Sequence, residues 1–291
     1  MRFVVAALLA STATGAQTVS ESAGRAIAYL AAEVPRWKQE NGCFSCHNNG
    51  DAARALMAAG RKDALSDTLA WLADPTQWDR QQENAVFRDK SLARVQFSFA
   101  LNEAVNRRLI DGRSALEKAA PQLAALQGKD GSWTLEQEAG IGSPATYGSA
   151  LATYASQRVL ANADARRYRD HIERASAWLG ALKPSATPDL AAVVLTFPTS
   201  PWRGVLLKAQ TSDGGWGPYR ATPAEAFDTA IALLALRNCP DCANARASGL
   251  KWLVANQLPN GGWPGTTRPS GNISYAQHIS TTGWAALALL Q

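Results

Sequence analysis

Cys43 and Cys46 are the residues of this chain best suited by type and spacing to chemistry, because two residues separate them and His47 follows directly. Thiols at this spacing can add across the two vinyl groups of a haem, and the neighbouring imidazole can then bind the iron. The pattern C-x-x-C-H is therefore typical of covalent c-type haem attachment. We expect one covalent haem c, with Cys43 and Cys46 as attachment points and His47 as axial ligand.

Two other uses of these thiols stay open. In an oxidising compartment, a C-x-x-C pair can close as a disulfide and leave His47 without a ligand role. Alternatively, Cys43, Cys46 and His47 can bind zinc, with His278 completing a Cys2His2 set. His278 is also our candidate for the second axial ligand of a haem. Met57 is unsuited to that role, because it lies ten residues along the helix predicted to begin at His47.

The beginning of the sequence predicts export. Arg2 provides a positive charge, an apolar run follows over residues 3–10, and small residues precede Gln17. This order is that of a secretory signal peptide with its cleavage site. We therefore expect residues 1–16 to be a signal peptide and residues 17–291 to form one domain in the periplasm or outside the cell. No later apolar segment is long enough to cross a bilayer, so we expect no membrane span.

Cys239 and Cys242 form a second C-x-x-C pair, but no histidine follows it. In an exported protein the simplest use of such a pair is a local disulfide, and we expect one here.

The charge of the chain argues against a nucleic-acid partner. The net charge is +5, but the basic residues are scattered, and Arg107-Arg108 and Arg166-Arg167 are short clusters. A nucleic-acid surface needs a continuous basic stripe interleaved with aromatic residues. We interpret the clusters as solvated helix faces and expect neither DNA nor RNA as a partner.

The sequence also repeats itself. In three places a glutamine precedes a tryptophan by six residues, with an Asp-Gly or Asn-Gly turn between them, and an apolar helix rich in small residues follows. The pairs are Gln127 and Trp133, Gln210 and Trp216, and Gln257 and Trp263. The glycine supplies a positive φ, and the tryptophan can pack on the glutamine amide and on neighbouring helix ends. We interpret these residues as structural, joining one helical hairpin to the next.

This pattern resembles the Gln-Trp repeats of the squalene/hopene cyclase and protein prenyltransferase superfamily, most closely over residues 203–290. The resemblance implies an all-α fold, an (α/α)6 toroid of about six helical hairpins. We place the hairpins at residues 19–60, 63–109, 113–160, 163–197, 201–238 and 243–290. Closure of such a ring makes the first and last repeats neighbours. The loop of residues 43–47 and the loop of residues 274–278 should then open on the same rim.

The ring also bears on the two cysteine pairs. In each hairpin an outer helix leads to an inner one, and Cys239 and Cys242 follow an inner helix and precede an outer one. They should therefore lie on the rim opposite Cys43 and Cys46, and a zinc site made of all four cysteines is disfavoured.

The resemblance also implies a central cavity that accepts a hydrophobic or polyprenyl-like small molecule. By repeat position, its candidate lining residues are Tyr147, Tyr219, Arg220, Asp228, Tyr275 and His278. The chain departs from the superfamily in two respects. It lacks the D-x-D-D acid motif of hopene-type cyclases, and no cysteine stands near Asp228, where a prenyltransferase would have a zinc ligand.

The main hypothesis is thus an exported c-type haem-bearing toroid with an electron-transfer or oxidoreductase role at the cavity mouth. Its partner would be a redox protein or a hydrophobic small molecule. The alternative is a terpenoid-cyclase-like or prenyltransferase-like toroid without haem, which binds a hydrophobic ligand or zinc. In that alternative, Cys43 and Cys46 are bridged or metal-bound.

Overall fold

The computed structural model describes residues 17–80, 90–135, 141–266, 268 and 274–291. The predicted signal peptide, residues 1–16, lies outside the described residues. Within the described part the secondary structure is helical, apart from an isolated β-bridge between Ala186 and Tyr219. None of the helices in these ranges is both long enough and apolar enough to span a membrane.

The described residues form twelve α-helices: α1 (Val19–Asn41), α2 (Ala53–Ala58), α3 (Ser66–Ala73), α4 (Lys90–Asn106), α5 (Ser114–Ala124), α6 (Gly148–Asp164), α7 (Arg169–Ala181), α8 (Thr187–Thr196), α9 (Trp202–Lys208), α10 (Ala226–Leu236), α11 (Ala243–Ala255) and α12 (Tyr275–Leu289). A π-helical segment, Cys46–Ala52, leads directly into α2. Short 3-10 turns occupy Lys62–Ala64, Pro75–Arg80 and Pro240–Cys242.

Successive helices pair as outer and inner members of six hairpins. The inner helices have even numbers and pack in sequence from α4 through α6, α8 and α10 to α12. Helix α12 then packs against the π-helical segment, which packs against α4, so that the ring is closed. The predicted all-α toroid of six hairpins is therefore confirmed.

The inner helices are more deeply buried than the outer ones. Nine of the eleven residues of α10 are buried, whereas the outer helix α7 buries Ala175 and Leu179. A helix surrounded by other helices must be apolar on every side, and a helix that faces water needs only one apolar stripe. The small residues of the inner helices allow close packing around the axis.

Each Gln-Trp repeat joins its own loop to the next outer helix. In the fifth hairpin, the side-chain amide of Gln210 donates to the carbonyl oxygens of Gly214 and Ala245, both at 2.8 Å. The indole Nε1 of Trp216 donates to the carbonyl of Leu206 at 2.8 Å. Since buried polar groups need partners, these bonds fix the loop against both neighbouring helix ends.

The same arrangement closes the ring. Gln257 donates to the carbonyl of Ser22 at 2.9 Å, and the Ser22 hydroxyl donates back to Gln257 Oε1 at 2.9 Å. Arg25 Nη2 adds a hydrogen bond of 2.7 Å to the carbonyl of Leu258. The predicted contact between the first and last repeats is therefore confirmed, and we call this junction the ring seam.

Gly261 illustrates why the turn of the repeat needs glycine. Its φ is +94°, a left-handed conformation that other residues rarely adopt. A Cβ atom at this position would lie 2.6 Å from the carbonyl oxygen of Arg25 on α1. The close approach of loop and helix at the ring seam thus depends on the missing side chain.

Substitution of Gly261 by alanine should destabilise the ring seam. We expect Gly261→Ala to lower the free energy of unfolding by about 1–3 kcal/mol, because it adds both backbone strain and a clash. Gly24→Ala is the matched control, since Gly24 lies on an exposed face of α1 and a Cβ added there would meet no atom within 4 Å. That control should raise stability by about 0.5–1 kcal/mol. Equal urea midpoints for the two variants would contradict this account.

Candidate functional site

The C-x-x-C-H motif lies at the start of the π-helical segment and is held there by a cap. Ser45 Oγ accepts hydrogen bonds from the backbone N–H groups of His47 (3.1 Å) and Asn48 (3.2 Å). The side chain of Asn49 accepts in turn from the Ser45 N–H at 2.9 Å. These bonds satisfy N–H groups that a helix start leaves without partners and fix the position of the loop.

The two thiols of the motif are half-buried and do not form a disulfide. Cys46 Sγ lies 3.9 Å from both ring nitrogens of His47. Burial lowers the pKa of His47 to about 4, so the imidazole is neutral at pH 7 and keeps a lone pair for a metal. The other pair differs, because Cys239 and Cys242 are joined by a disulfide between α10 and α11.

Stacked aromatic side chains lie next to the motif. Phe44 stacks on Trp71 with 4.6 Å between ring centroids, and Lys38 Nζ lies 5.1 Å from the Phe44 ring. Trp37, on α1, stacks on Tyr275 at 5.4 Å. The indole N–H groups of Trp37 and Trp71 are buried without an acceptor in the described part of the chain. Buried N–H groups without an acceptor are uncommon, so the hydrogen bonding around the motif is incomplete among the described residues.

The first turn of α12 meets the helical segment of this motif across the ring seam. Asn48 Nδ2 donates to the hydroxyl of Tyr275 at 2.7 Å, and that hydroxyl donates to Glu33 Oε2 at 2.9 Å. Burial raises the pKa of Tyr275 to about 12. His278 lies one turn further along α12, edge-on to Tyr29 at 5.7 Å, and burial lowers its pKa. The two loops therefore share one rim, as predicted.

No preassembled metal site is found among the described residues. Within these ranges, no three His, Cys, Asp or Glu side chains lie close enough together to hold a metal ion. His278 is thus not gathered with Cys43, Cys46 and His47 into a Cys2His2 group. Met57 is buried in the core.

The six cavity candidates fall in three different places. Tyr147 and Asp228 are buried inside the ring, and Tyr275 and His278 lie on the rim that carries the motif. Tyr219 is 43% exposed, and Arg220 is also on the solvent-facing surface. The candidates thus range from the interior of the ring to its outer surface.

Asp228 is held in an ion pair. Arg268 binds its two carboxylate oxygens at 3.0 and 3.1 Å and also contacts Glu225 Oε2 at 3.3 Å. Burial raises the pKa of Asp228, and the charge of Arg268 opposes that rise. Arg268 further donates to the carbonyl of Gly142 at 3.2 Å. Through Arg268, Asp228 thus links α10 to the loops that contain Arg268 and Gly142.

The interior also holds a polar cluster that the sequence analysis did not identify. Asp51, which is 1% exposed, accepts hydrogen bonds from Gln96 Nε2 at 3.0 Å and from Ser280 Oγ at 2.8 Å. The hydroxyl of Tyr147 donates to the other carboxylate oxygen. Arg54 Nη1 lies 3.4 Å from that hydroxyl and 3.9 Å from Asp51. We call these five residues the polar centre.

The polar centre is an unusual environment for an acid. Burial raises the pKa of Asp51 to about 7, against the opposing effects of Arg54 and of its hydrogen bonds. Tyr147 reaches the cluster with a φ of +65°, a strained conformation for a residue other than glycine. Such strain is often found at functional sites, where surrounding structure maintains it.

One signal in the sequence could have identified this cluster. Asp51 and Arg54 are opposite charges three residues apart in an otherwise small and apolar inner segment. Charged residues on a helix that is buried on every side need specific partners. Those partners lie far away in the chain, at positions 96, 147 and 280.

Solved structures share this fold. A type II terpene cyclase from Scytonema, in complex with geranylgeranyl dihydroxybenzoate, has a TM-score of 0.59 at 15% identity, over 94% of this chain and 96% of that chain. A protein from Actinoplanes has a TM-score of 0.61 at 17% identity, over 94% of this chain and 98% of that chain.

A third structure, ent-copalyl diphosphate synthase from Streptomyces platensis, has a TM-score of 0.54 at 19% identity. The match covers 84% of this chain but half of that chain. No protein-family model matches the sequence, and no curated protein matches it. The chain therefore has an α/α toroid fold like that of these terpene cyclases. At 15–19% sequence identity, the similarity shows the fold and not the function.

The raised pKa of Asp51 has a consequence for stability. Its ordinary pKa is 3.8 and its pKa in the fold is about 7, so the native state binds the proton more tightly than the unfolded state. The stabilisation from this proton is complete below pH 4 and is lost as the pH rises through 7. We expect Asp51→Asn to remove that part of the pH dependence, as measured by urea unfolding from pH 4 to 7.5.

Asp63→Asn is the matched control. Asp63 is an exposed carboxylate whose pKa is lowered by its hydrogen bond to Arg61, so it titrates below this range. Its substitution should leave the slope between pH 4 and 7.5 unchanged. The same slope in Asp51→Asn and in the parent protein would show that Asp51 is ionised throughout.

Proposed function

We propose that this chain is an exported c-type haem protein in which Cys43 and Cys46 form the thioether bonds and His47 binds the iron. Its role is electron transfer, or oxidation of a molecule bound at the mouth of the toroid. One observation carries the proposal. Cys46 and His47 stand side by side at the start of one helical segment, with Cys46 Sγ 3.9 Å from both ring nitrogens of His47.

The surroundings of the motif fit this role. The Ser45 cap holds Cys46 and His47 at the start of one helical segment, and the neutral imidazole is ready to bind a metal. Two stacked aromatic pairs, Phe44 with Trp71 and Trp37 with Tyr275, make its surroundings apolar. When bound, a haem would supply reversible one-electron transfer at its iron. The protein's part is to fix the imidazole and to control how much water reaches it.

Export is part of the proposal. It is supported by the signal-like pattern of residues 1–16 and by the disulfide between Cys239 and Cys242, since disulfides persist in oxidising compartments. A redox partner protein would meet the rim that carries the motif. His278, which lies on that rim, would be the second residue to hold the haem iron.

A second candidate function is a toroid without haem that binds a hydrophobic molecule. Two observations favour it. One similar structure holds geranylgeranyl dihydroxybenzoate, and the interior of this chain contains a buried carboxyl group, Asp51, with a pKa of about 7. A carboxyl group that is partly protonated at neutral pH can act as an acid toward a bound molecule.

The haem proposal predicts a covalent adduct. Protein coexpressed with a c-type haem maturation system should keep a porphyrin after denaturation, seen by mass spectrometry and by the visible spectrum of the reduced protein. The double variant Cys43→Ser/Cys46→Ser should lose the adduct completely, because both thioether bonds need a thiol. The control Cys239→Ser/Cys242→Ser should keep it.

The second candidate gives a different mass. A colourless protein whose mass corresponds to two disulfides would reject haem attachment and support the alternative. A zinc-bearing protein that loses its metal when Cys43 and Cys46 are replaced would also reject haem attachment and support the alternative.

The axial assignment has a separate test. His278→Ala should change the ferric absorption spectrum and the reduction potential of the haem-loaded protein, because it removes the second nitrogen ligand. His171→Ala on α7 is the control and should change neither. An unchanged spectrum and potential in His278→Ala would refute the axial role of His278 while leaving covalent attachment intact.

A further inference from the structure

A groove on the solvent-facing side of the fifth repeat is lined by three segments of the chain. The Gln-Trp turn of residues 211–214 forms one wall, the loop of residues 221–224 forms the second, and α11 with its C-cap forms the third. Its volume is about 930 Å³, which lies in the range of small-molecule binding sites. The groove shares no residue with the C-x-x-C-H motif or the polar centre, so the function proposed above leaves it unused.

Trp252 gives the groove an aromatic surface, and its ring is held in place. Its Nε1 donates to Asp213 Oδ2 at 2.9 Å. A Cβ atom at Gly215 would lie 2.9 Å from Trp252 Cδ2, so the ring packs directly on this glycine. The side chain is half-buried, and the surface that it keeps lines the groove. A fixed aromatic face can pack on the C–H groups of a ligand.

Polar groups beside this ring keep hydrogen-bonding capacity for a ligand. Thr211 Oγ1 and Trp252 Nε1 donate to different oxygens of Asp213, and these bonds lower the pKa of that carboxyl group. The ionised carboxylate can accept further bonds, because each oxygen has two lone pairs. Asn256 donates to the carbonyl of Trp252 at 2.8 Å, which leaves its other N–H and its side-chain oxygen.

The loop that forms the second wall has a strained backbone. Ala221 has a φ of +65°, a conformation that is unfavourable for a residue with a Cβ atom. The turn is held by Thr222, whose Oγ1 donates to the carbonyl of Tyr219 at 2.7 Å and accepts from the N–H of Tyr219 at 3.1 Å. Strained positions of this kind are frequent at binding sites, where the surrounding structure maintains them.

Charge and polarity limit the class of ligand. Asp213 and Lys251 are the ionisable side chains among the described residues that line the groove, and their charges cancel. A strongly charged ligand therefore gains little there. The hydroxyl groups of Thr222 and Ser248 make the walls polar, which disfavours a hydrocarbon chain. A neutral molecule with apolar C–H faces and a rim of hydroxyl groups matches both the ring and its polar neighbours.

We propose that this groove binds a neutral oligosaccharide. A sugar ring packs with its C–H face on Trp252, and its hydroxyl groups bond to Asp213 and Asn256. Most of the residues that line the groove are exposed, so a longer sugar chain can extend beyond it. The groove belongs to the fifth and sixth hairpins and the motif to the first. The proposal therefore holds whether or not a haem is attached.

The third repeat provides matched controls. Trp178 of α7 occupies the same position in its helix as Trp252 of α11, and Asp130 occupies the same position in its turn as Asp213. Asp130 instead accepts from the backbone N–H and the hydroxyl of Ser132, at 3.1 and 2.9 Å. Its carboxylate is thus engaged within its own turn and does not orient a tryptophan ring.

The experiment measures the binding of cellotriose, maltotriose and triacetylchitotriose to the full-length protein by calorimetry and saturation-transfer NMR. At least one of them should bind with a dissociation constant below about 1 mM. Trp252→Ala should weaken that binding by at least about tenfold, because it removes the surface on which the sugar packs. Asp213→Ala should have an effect of similar size, since it removes an acceptor and releases the ring. Trp178→Ala and Asp130→Ala should bind as the parent does.

Three results would overturn the proposal. The first is the absence of binding of all three sugars to the parent protein up to about 10 mM. The second is sugar binding that is unchanged in Trp252→Ala, or in Asp213→Ala if Trp252→Ala does not fold, because Asp213 is an exposed turn residue. The third is binding of an acetylated and amidated Ala-Ser-Ala-Ser peptide without sugar binding, which would assign the groove to a protein segment.

Discussion

The hydrogen bonds of the repeat glutamines are the constraint on which the rest of this structure depends. Each amide joins two backbone carbonyls, one in its own turn and one at the start of the next outer helix. At Gln257 the next outer helix is α1, so the same local bond closes the ring. Closure brings Tyr275 to Asn48 and Ser280 to Asp51, and both the rim and the polar centre are assembled across that junction.

The polar centre depends on the closed ring for its stability. Asp51 and Arg54 occupy an interior in which charged groups are unfavourable, and Tyr147 reaches them through a strained backbone. Packing of the six hairpins must offset both costs. Asp51 and Arg54 of the centre belong to the same continuous helical stretch as Cys46 and His47 of the motif, because Cys46–Ala52 runs directly into α2. A change in the packing of that stretch would therefore affect both the polar centre and the motif.

The repeat pattern, through its resemblance to the Gln-Trp repeats of a known superfamily, was sufficient to predict the toroid, its hairpins and the meeting of its first and last repeats. The resemblance rests on a glutamine, a glycine and a tryptophan within seven residues, and local bonds of this kind can be inferred from spacing. Repeat position was less informative for side chains in loops. Tyr219 and Arg220 face solvent because the direction of the loop before α10 is not set by the repeat. Asp51 and Arg54 were missed because their partners come from three distant segments.

The most direct measurement of the central claim is an experimental structure of the protein coexpressed with a c-type haem maturation system. The account predicts a toroid closed by the Gln257 and Ser22 hydrogen bonds, with a porphyrin linked to Cys43 and Cys46 and its iron bound by His47. A closed toroid in which Cys43 and Cys46 form a disulfide, with no group bound at that rim, would contradict it.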